Sequence, residues 1–296
     1  MTAGDRRARA AGVGNRGKSP RVDITLAATL HDTTGALSAM IRRQVPSLRR
    51  LYAAVVVTTS PPTHPSVNAL LDELDVYAGT PRTNTRGPLY RLAMRRALAT
   101  AAARVHYLDF DRALHWMATR PHELGAVLRL GAQPDALIVG RTVGAHRTHH
   151  RPLFETERAL NARFASRLRL RGRVDFLVPS FVLSRTLAAT LLRRSRAPDG
   201  AIYGEWPALL AAIAPRLAYV ECRGLDWETP DRHRAEVKRL GLAAWRRTLD
   251  TPGEWRARRS LAADMARGFD AAADDHASCA MSRLRVESAA KRRMRP

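Results

Sequence analysis

Cysteine is nearly absent: Cys222 and Cys279 stand alone in 296 residues. Two isolated thiols make neither a disulfide framework nor a zinc site, and they point to a reducing, cytoplasmic setting. Lysine is almost as rare, since only Lys18, Lys238 and Lys291 appear among 50 basic residues. Aromatics make up 6% of the chain, so the core must rest on leucine, alanine, valine and isoleucine. No apolar run approaches the roughly 20 residues that cross a bilayer. The basic N-terminus is followed by no apolar stretch, which argues against a signal peptide. A peripheral membrane contact through arginine stays open.

What is present is arginine, and with it a formal net charge of +23. A polyanion partner would explain the charge, but a nucleic-acid binder gathers it on one face or stripe. Here arginine runs along the whole chain, as a general preference for arginine and alanine would leave it. Nucleic acid is therefore a poor candidate, whereas a phosphate-bearing substrate suits the surplus.

Residues 1–20 and 271–296 lack periodicity and read as basic, disordered tails around one domain over 21–270. The first tail contains Gly12-Val13-Gly14-Asn15-Arg16-Gly17-Lys18-Ser19, which satisfies the P-loop spelling. A phosphate loop needs a strand before it and a helix after it. Charged residues precede this one and Pro20 follows it, so the motif is rejected.

Between the tails, strands and helices alternate. Strands are predicted at Val22–Leu30, Leu51–Thr59, Val76-Tyr77, Val105–Leu108, Ala136–Val139, Phe176–Leu183 and Leu217–Glu221. Helices are predicted between them, among them Gly35–Gln44 (ended by Pro46), Leu89–Ala103 and Glu205–Ile213. This order implies an α/β fold, a three-layer α/β/α domain with a mainly parallel central sheet.

Ligands of such sheets bind beyond the carboxyl ends of the strands. Four ends matter: His31-Asp32, Thr58-Thr59-Ser60, Asp109-Phe110-Asp111 and Gly140-Arg141. The triplet is the sharpest. Two carboxylates one residue apart, leaving a strand, can reach one hard cation such as Mg²⁺ or Mn²⁺, which takes oxygen ligands and bridges to a diphosphate. Asp32 is a candidate for the cofactor pocket by its place at the first strand end. Gly87 and Arg91 open the helix leading to Asp109, where backbone approach and a helix N-terminus favour phosphate, with Arg86 an alternative partner for it. Glu205 opens another helix and could accept a proton from a hydroxyl. Asp226 and Glu228 follow the last strand and either line the site or cap the next helix. His146, His149 and His150 fall in a polar stretch with no further ligand nearby, which argues against a metal there. No Gly-x-Ser-x-Gly elbow is present, against a serine hydrolase of that type.

Tyr107-Leu108-Asp109-Phe110-Asp111-Arg112, Gly204-Glu205-Trp206-Pro207 and Glu228-Thr229-Pro230 with Trp245 downstream together resemble GT-A-fold glycosyltransferases, especially family 2 nucleotide-diphospho-sugar transferases. The resemblance spans roughly residues 21–250. It implies a nucleotide-diphospho-sugar donor, an acceptor hydroxyl of unknown kind, a Mg²⁺ or Mn²⁺ ion on Asp109 and Asp111, and a catalytic base near Glu205. The family's Glu-Asp pair is Glu205-Trp206 here, so the base is the departure from the pattern. Two other readings stand beside it. A sugar-phosphate nucleotidyltransferase would show a glycine-rich loop, for which Thr33-Thr34-Gly35 is a poor match. A non-catalytic scaffold or a basic nucleic-acid binder would need no base. Arg112-Ala113-Leu114, which lacks the hydroxyl residue and glycine that should follow, argues against a dehalogenase-type phosphatase.

Overall fold

The computed structural model describes residues 21–170 and 172–274. The rejected phosphate-loop spelling and most of the expected C-terminal tail lie outside these residues. Residues 271–274, expected in that tail, instead continue the last helix.

Among the described residues six strands form one sheet: β1 (Val22–Leu30), β2 (Tyr52–Thr59), β3 (Arg104–Asp109), β4 (Ala136–Arg141), β5 (Ser180–Ser184) and β6 (Leu217–Cys222). Their order is β2-β1-β3-β5-β4-β6, with β5 antiparallel to both neighbours and every other pairing parallel. The expected short strand at Val76-Tyr77 is a single parallel bridge from Tyr77 to Val57, beyond β2.

The strands are buried on both faces because side chains alternate between two cores. Ala27, Val105, Tyr107, Ile138 and Phe181 face one core. There they meet α3 (Arg86–Leu98), α7 (Arg151–Arg167), α8 (Arg185–Arg194), α9 (Ile202–Ile213) and α12 (Pro252–Asp274). Leu26, Ala28, Leu108, Val139 and Val182 face the other, against α1 (Ser38–Leu51), α2 (Pro65–Glu73), α4 (Phe110–Thr119) and α5 (Pro121–Leu130). The three-layer, mainly parallel α/β/α arrangement expected from the sequence is thus observed. Short helices α6 (Val143–Thr148), α10 (Arg234–Leu240) and α11 (Leu242–Thr248), with a 3₁₀ turn at Thr229–Arg232, complete the described chain.

Two expectations change. Pro46 does not end α1, which runs on to Leu51. A proline inside a helix costs about 3 kcal/mol. Met40, Ile41, Val45 and Leu48 are all buried on either side of it, and a side chain of that size contributes roughly 1.5–3 kcal/mol on burial. The sixth expected strand, predicted from Phe176, starts four residues late, at Ser180. Asp175 and Phe176 give their N–H groups to the Tyr219 hydroxyl and the Asn161 side-chain oxygen, both at 2.8 Å, and Pro179 has none to give.

Candidate functional site

A cavity of about 480 Å³ opens beyond the carboxyl ends of β1, β2 and β3. Asp109 and Asp111 both line it. β3 ends at Asp109, and α4 starts at once with Phe110, which is fully buried beneath the turn. The two carboxylates therefore flank a helix N-terminus, where the unpaired N–H groups and the helix dipole favour negative charge.

Each carboxylate is held. Asp109 Oδ1 accepts hydrogen bonds from Thr29 Oγ1 at 3.0 Å and from the Tyr90 hydroxyl at 3.1 Å, while Oδ2 lies 3.9 Å from the Arg112 guanidinium. Asp111 Oδ1 accepts the Arg112 N–H at 2.8 Å, and its Oδ2 accepts Arg232 Nη2 at 2.8 Å. The neighbours set different acidities. Burial, and then the adjacent Asp111 charge, raises the Asp109 carboxyl to about 7. Burial acts on Asp111 as well, but the Arg232 and Arg112 guanidiniums outweigh it and hold Asp111 below the usual carboxylate range. Its surroundings thus disfavour the ionised form of Asp109, and a hard cation would favour it by neutralising that charge.

The donor set suits such a cation. Two carboxylates are the protein ligands that Mg²⁺ or Mn²⁺ commonly takes when substrate phosphates and waters complete its shell. Among the described residues there is no group of three or more His, Cys, Asp or Glu able to enclose a metal without substrate.

Arg232 was not anticipated. It also donates to the His31 carbonyl at 2.5 Å and stands 3.8 Å from Asp32. Its 3₁₀ turn is tied to α4 by His115, whose Nδ1 and Nε2 meet Asp231 at 2.6 Å and Asp226 at 3.0 Å. Burial opposes charge on His115, but those two acids raise its pKa to about 9, so the clasp is ionic at neutral pH. Asp226 is thus spent on this clasp, and Glu228 faces Arg112 at 3.2 Å, buried beneath the cavity.

The other expected site residues are placed differently from the carboxylate pair. Asp32 is 1% exposed, and its oxygens cap the turn into α1 by accepting the N–H groups of Ala36 (3.1 Å) and Leu37 (2.9 Å). Gly87, Arg91 and Glu205 do come together, but on the segment 195–198 and not on the cavity wall. A Cβ on Gly87 would stand 2.0 Å from the Ala197 carbonyl oxygen, and Arg91 Nη1 donates to that same oxygen at 2.7 Å. Glu205 accepts from Ser195 Oγ (2.5 Å), Arg196 N–H (2.5 Å) and Ala197 N–H (2.8 Å). These three residues brace the segment that delivers Asp199 and Gly200 to the cavity. Of the two arginines considered for phosphate, Arg86 lines the cavity. Trp206, in the place of the family's acid, is 1% exposed and packs edge-on against Tyr90 and Tyr107 in the core.

The three histidines are not in a polar loop. His146, His149 and His150 are buried around α6 and the start of α7, with Glu157 3.5 Å from His146 and Glu254 2.8 Å from His150. The nearby acids contradict the expectation of no ligand group, but they are engaged: Glu157 binds the fully buried Arg141 at 2.5 Å, and Arg141 also pairs with Asp175. A second recess, about 500 Å³ between α7 and α12, is crossed by ion pairs of Arg163 with Asp270 and Arg167 with Asp274, and no strand end reaches it.

No helix among the described residues is long and apolar enough to cross a membrane. No family model and no curated protein matches the chain. Solved structures do match. One is glucosyl-3-phosphoglycerate synthase from Mycobacterium tuberculosis in complex with uridine diphosphate, at 18% identity and a TM-score of 0.43 over 77% of this chain and 69% of that one. The same synthase with Mn²⁺, uridine-diphosphate-glucose and phosphoglyceric acid gives the same figures. A further structure of it aligns at 19% identity and a TM-score of 0.41 over 66% of each chain.

Proposed function

We propose that this chain is a GT-A-like glycosyltransferase that moves a sugar from a nucleotide-diphospho-sugar to an acceptor hydroxyl. One observation carries the reading. Asp109 and Asp111 stand at a strand-to-helix junction on the wall of a 480 Å³ cavity, with Arg86 on the same wall and Arg232 bonded to one of them. Carboxylates for a hard cation, guanidiniums for phosphate oxygens and a helix N-terminus are the groups that a diphosphate needs.

Asp109 and Asp111 would hold Mg²⁺ or Mn²⁺, which when bound offsets the negative charge of the donor diphosphate. Thr29 and Tyr90 orient Asp109. The Arg112 N–H orients Asp111. Arg86 lines the space beside Tyr203, with its guanidinium carbon 5.9 Å from that ring's centre. His31, hydrogen-bonded through Nδ1 to Ser60 Oγ at 2.7 Å, marks the strand-end wall shared by β1 and β2.

The test is thermal-shift binding of a panel of nucleoside diphosphates with and without Mn²⁺. A ligand that binds only the folded state raises its stability by mass action. At least one diphosphate should give a shift that needs the metal, and Asp109→Asn with Asp111→Asn should remove it. A panel without any shift, or a double variant that shifts like the wild type, would end this reading.

A further inference from the structure

With Glu205 turned into the 195–198 segment, the cavity needs another group to take a proton from an attacking hydroxyl. Four carboxylates line it: Asp109, Asp111, Asp199 and Asp264. The first two form the cation pair. Asp199 is spent, since Oδ1 accepts the Ala201 N–H at 2.8 Å and Oδ2 accepts Arg267 Nη2 at 2.9 Å. Asp264 is held through one oxygen only, Oδ1, by Arg267 Nη1 at 2.8 Å. Its Oδ2 takes no hydrogen bond from the described residues and lies 3.4 Å from where a Cβ on Gly200 would stand.

The placement is rigid. Asp264 sits on α12, which meets α9 backbone to backbone. A Cβ on Gly204 would be 1.9 Å from the Met265 carbonyl oxygen, and one on Gly268 would be 2.1 Å from the Ala201 carbonyl oxygen. Arg267 then ties Asp264 and Asp199 together from the same side. A carboxylate with one anchored and one free oxygen, fixed on a packed helix at the rim of the reaction cavity, is what general-base catalysis requires.

We propose that Asp264 is the catalytic base. The inference rests on reading the cavity as a nucleotide-sugar site. The acceptor's O–H proton passes to Asp264 Oδ2 as the acceptor oxygen bonds to the anomeric carbon. The bond from that carbon to the phosphate oxygen breaks, and its electron pair leaves with the nucleoside diphosphate. Asp264 lies beyond the stretch that resembles known glycosyltransferases, so it would replace the acid lost at Trp206 from a different helix.

The experiment uses the full chain, Mn²⁺ and glucose esters of the nucleoside diphosphates, with water as acceptor and release of the diphosphate as readout. Diphosphate affinity and melting temperature are measured alongside. Asp264→Asn keeps the contact to Arg267 through its amide oxygen. It should lower kcat by about 100-fold or more, the scale of a lost general base. Its diphosphate affinity should stay within about twofold of wild type, and with Mn²⁺ and donor saturating, so that Asp109 stays ionised, the acidic limb of the pH–rate profile should vanish. Asp264→Glu should restore the limb. Arg267→Gln breaks the clamp but spares the carboxylate, so it should keep the limb and lose less activity. Equal losses in Asp264→Asn and Arg267→Gln, in step with lowered melting temperatures, would make Asp264 a clamp and overturn the inference. An Asp264→Asn enzyme turning over like the wild type would do the same while leaving the donor site standing. A wild type that binds no diphosphate removes both.

Discussion

Arg232 donates to Asp111 at 2.8 Å, so a fixed guanidinium shares the carboxylate expected to hold a cation. The same side chain reaches the His31 carbonyl and approaches Asp32, tying the 3₁₀ turn to the end of β1. Its positive charge attracts phosphate and repels a metal ion. Arg232→Gln should therefore bind Mn²⁺ alone about tenfold more tightly, the effect of relieving roughly 1.4 kcal/mol of like-charge repulsion. It should bind nucleoside diphosphate with Mn²⁺ more weakly, because a positive charge on the cavity wall that attracts phosphate is gone. Titration of Mn²⁺ by electron paramagnetic resonance, followed by calorimetry with the diphosphate, reads both signs. Weaker Mn²⁺ binding by the variant would show that Arg232 orders Asp111 for the metal rather than competing with it.

The raised Asp109 carboxyl makes the metal-free protein sensitive to pH. A carboxyl whose pKa is about 7 in the folded chain and near 3.8 when unfolded binds its proton more tightly when folded. The stability this gives is complete below about pH 4 and is lost as pH climbs through 7. Without metal, the melting temperature should fall from pH 5 to pH 8 by more in the wild type than in Asp109→Asn. The comparison with the variant matters because Glu228, also raised by burial, acts in the same direction. Saturating Mn²⁺ with diphosphate should remove the difference by favouring the ionised form. Parallel curves for the two proteins without metal would mean that Asp109 is ionised throughout.

The layers were legible because long buried strands write their own pattern. After Asp23, Ile24–Leu30 carries one apolar or small residue after another, and the bounds of the strand, Val22–Leu30, match the expectation. Asp109 and Asp111 were legible for the same reason: a strand that ends in an acid places that acid at the sheet's ligand edge. Glu205 was misread because nothing in Gly204-Glu205-Trp206-Pro207 reveals that residues 195–198 fold back beneath it and consume its oxygens. Arg232 and Asp264 left no local signal. Each meets the cavity through tertiary contacts with residues far along the chain, and in a sequence with 50 basic residues one arginine does not stand out. Pro46 misled in the opposite sense, since local propensity gave way to burial on both sides of it.

The His115 clasp should loosen at high pH. Its folded pKa of about 9 lies above the ordinary value of 6.5, so its contribution is complete below about pH 6.5 and disappears as pH rises through 9. Asp226 and Asp231 would then release the turn that carries Arg232. Amide exchange over residues 226–233 should become faster between pH 7 and pH 9.5 than the intrinsic base-catalysed rise accounts for. His115→Gln should show the faster exchange already at pH 7. Protection that is unchanged across this range would show that the turn is held by its packing, not by the imidazolium.

The bracing of segment 195–198 separates a structural acid from a chemical one. Glu205 is 7% exposed and accepts three hydrogen bonds from that segment. Glu205→Gln turns one acceptor oxygen into a donor facing other donors. It should cost about 1–3 kcal/mol, the penalty of leaving buried polar groups unpaired. Turnover per folded molecule should hold near the wild-type value, because Glu205 is not on the cavity wall. Gly204→Ala, one residue earlier, is harsher. Its Cβ would fall 1.9 Å from the Met265 carbonyl oxygen, so α12 must move away from α9. Overpacking of this kind typically costs about 1–3 kcal/mol, and here it also shifts Asp264 at the cavity rim. Gly204→Ala should therefore lower both melting temperature and kcat, whereas Glu205→Gln lowers melting temperature alone. Urea denaturation with donor hydrolysis on the same samples distinguishes them, and a Glu205→Gln enzyme that folds stably but does not turn over would return the base to Glu205.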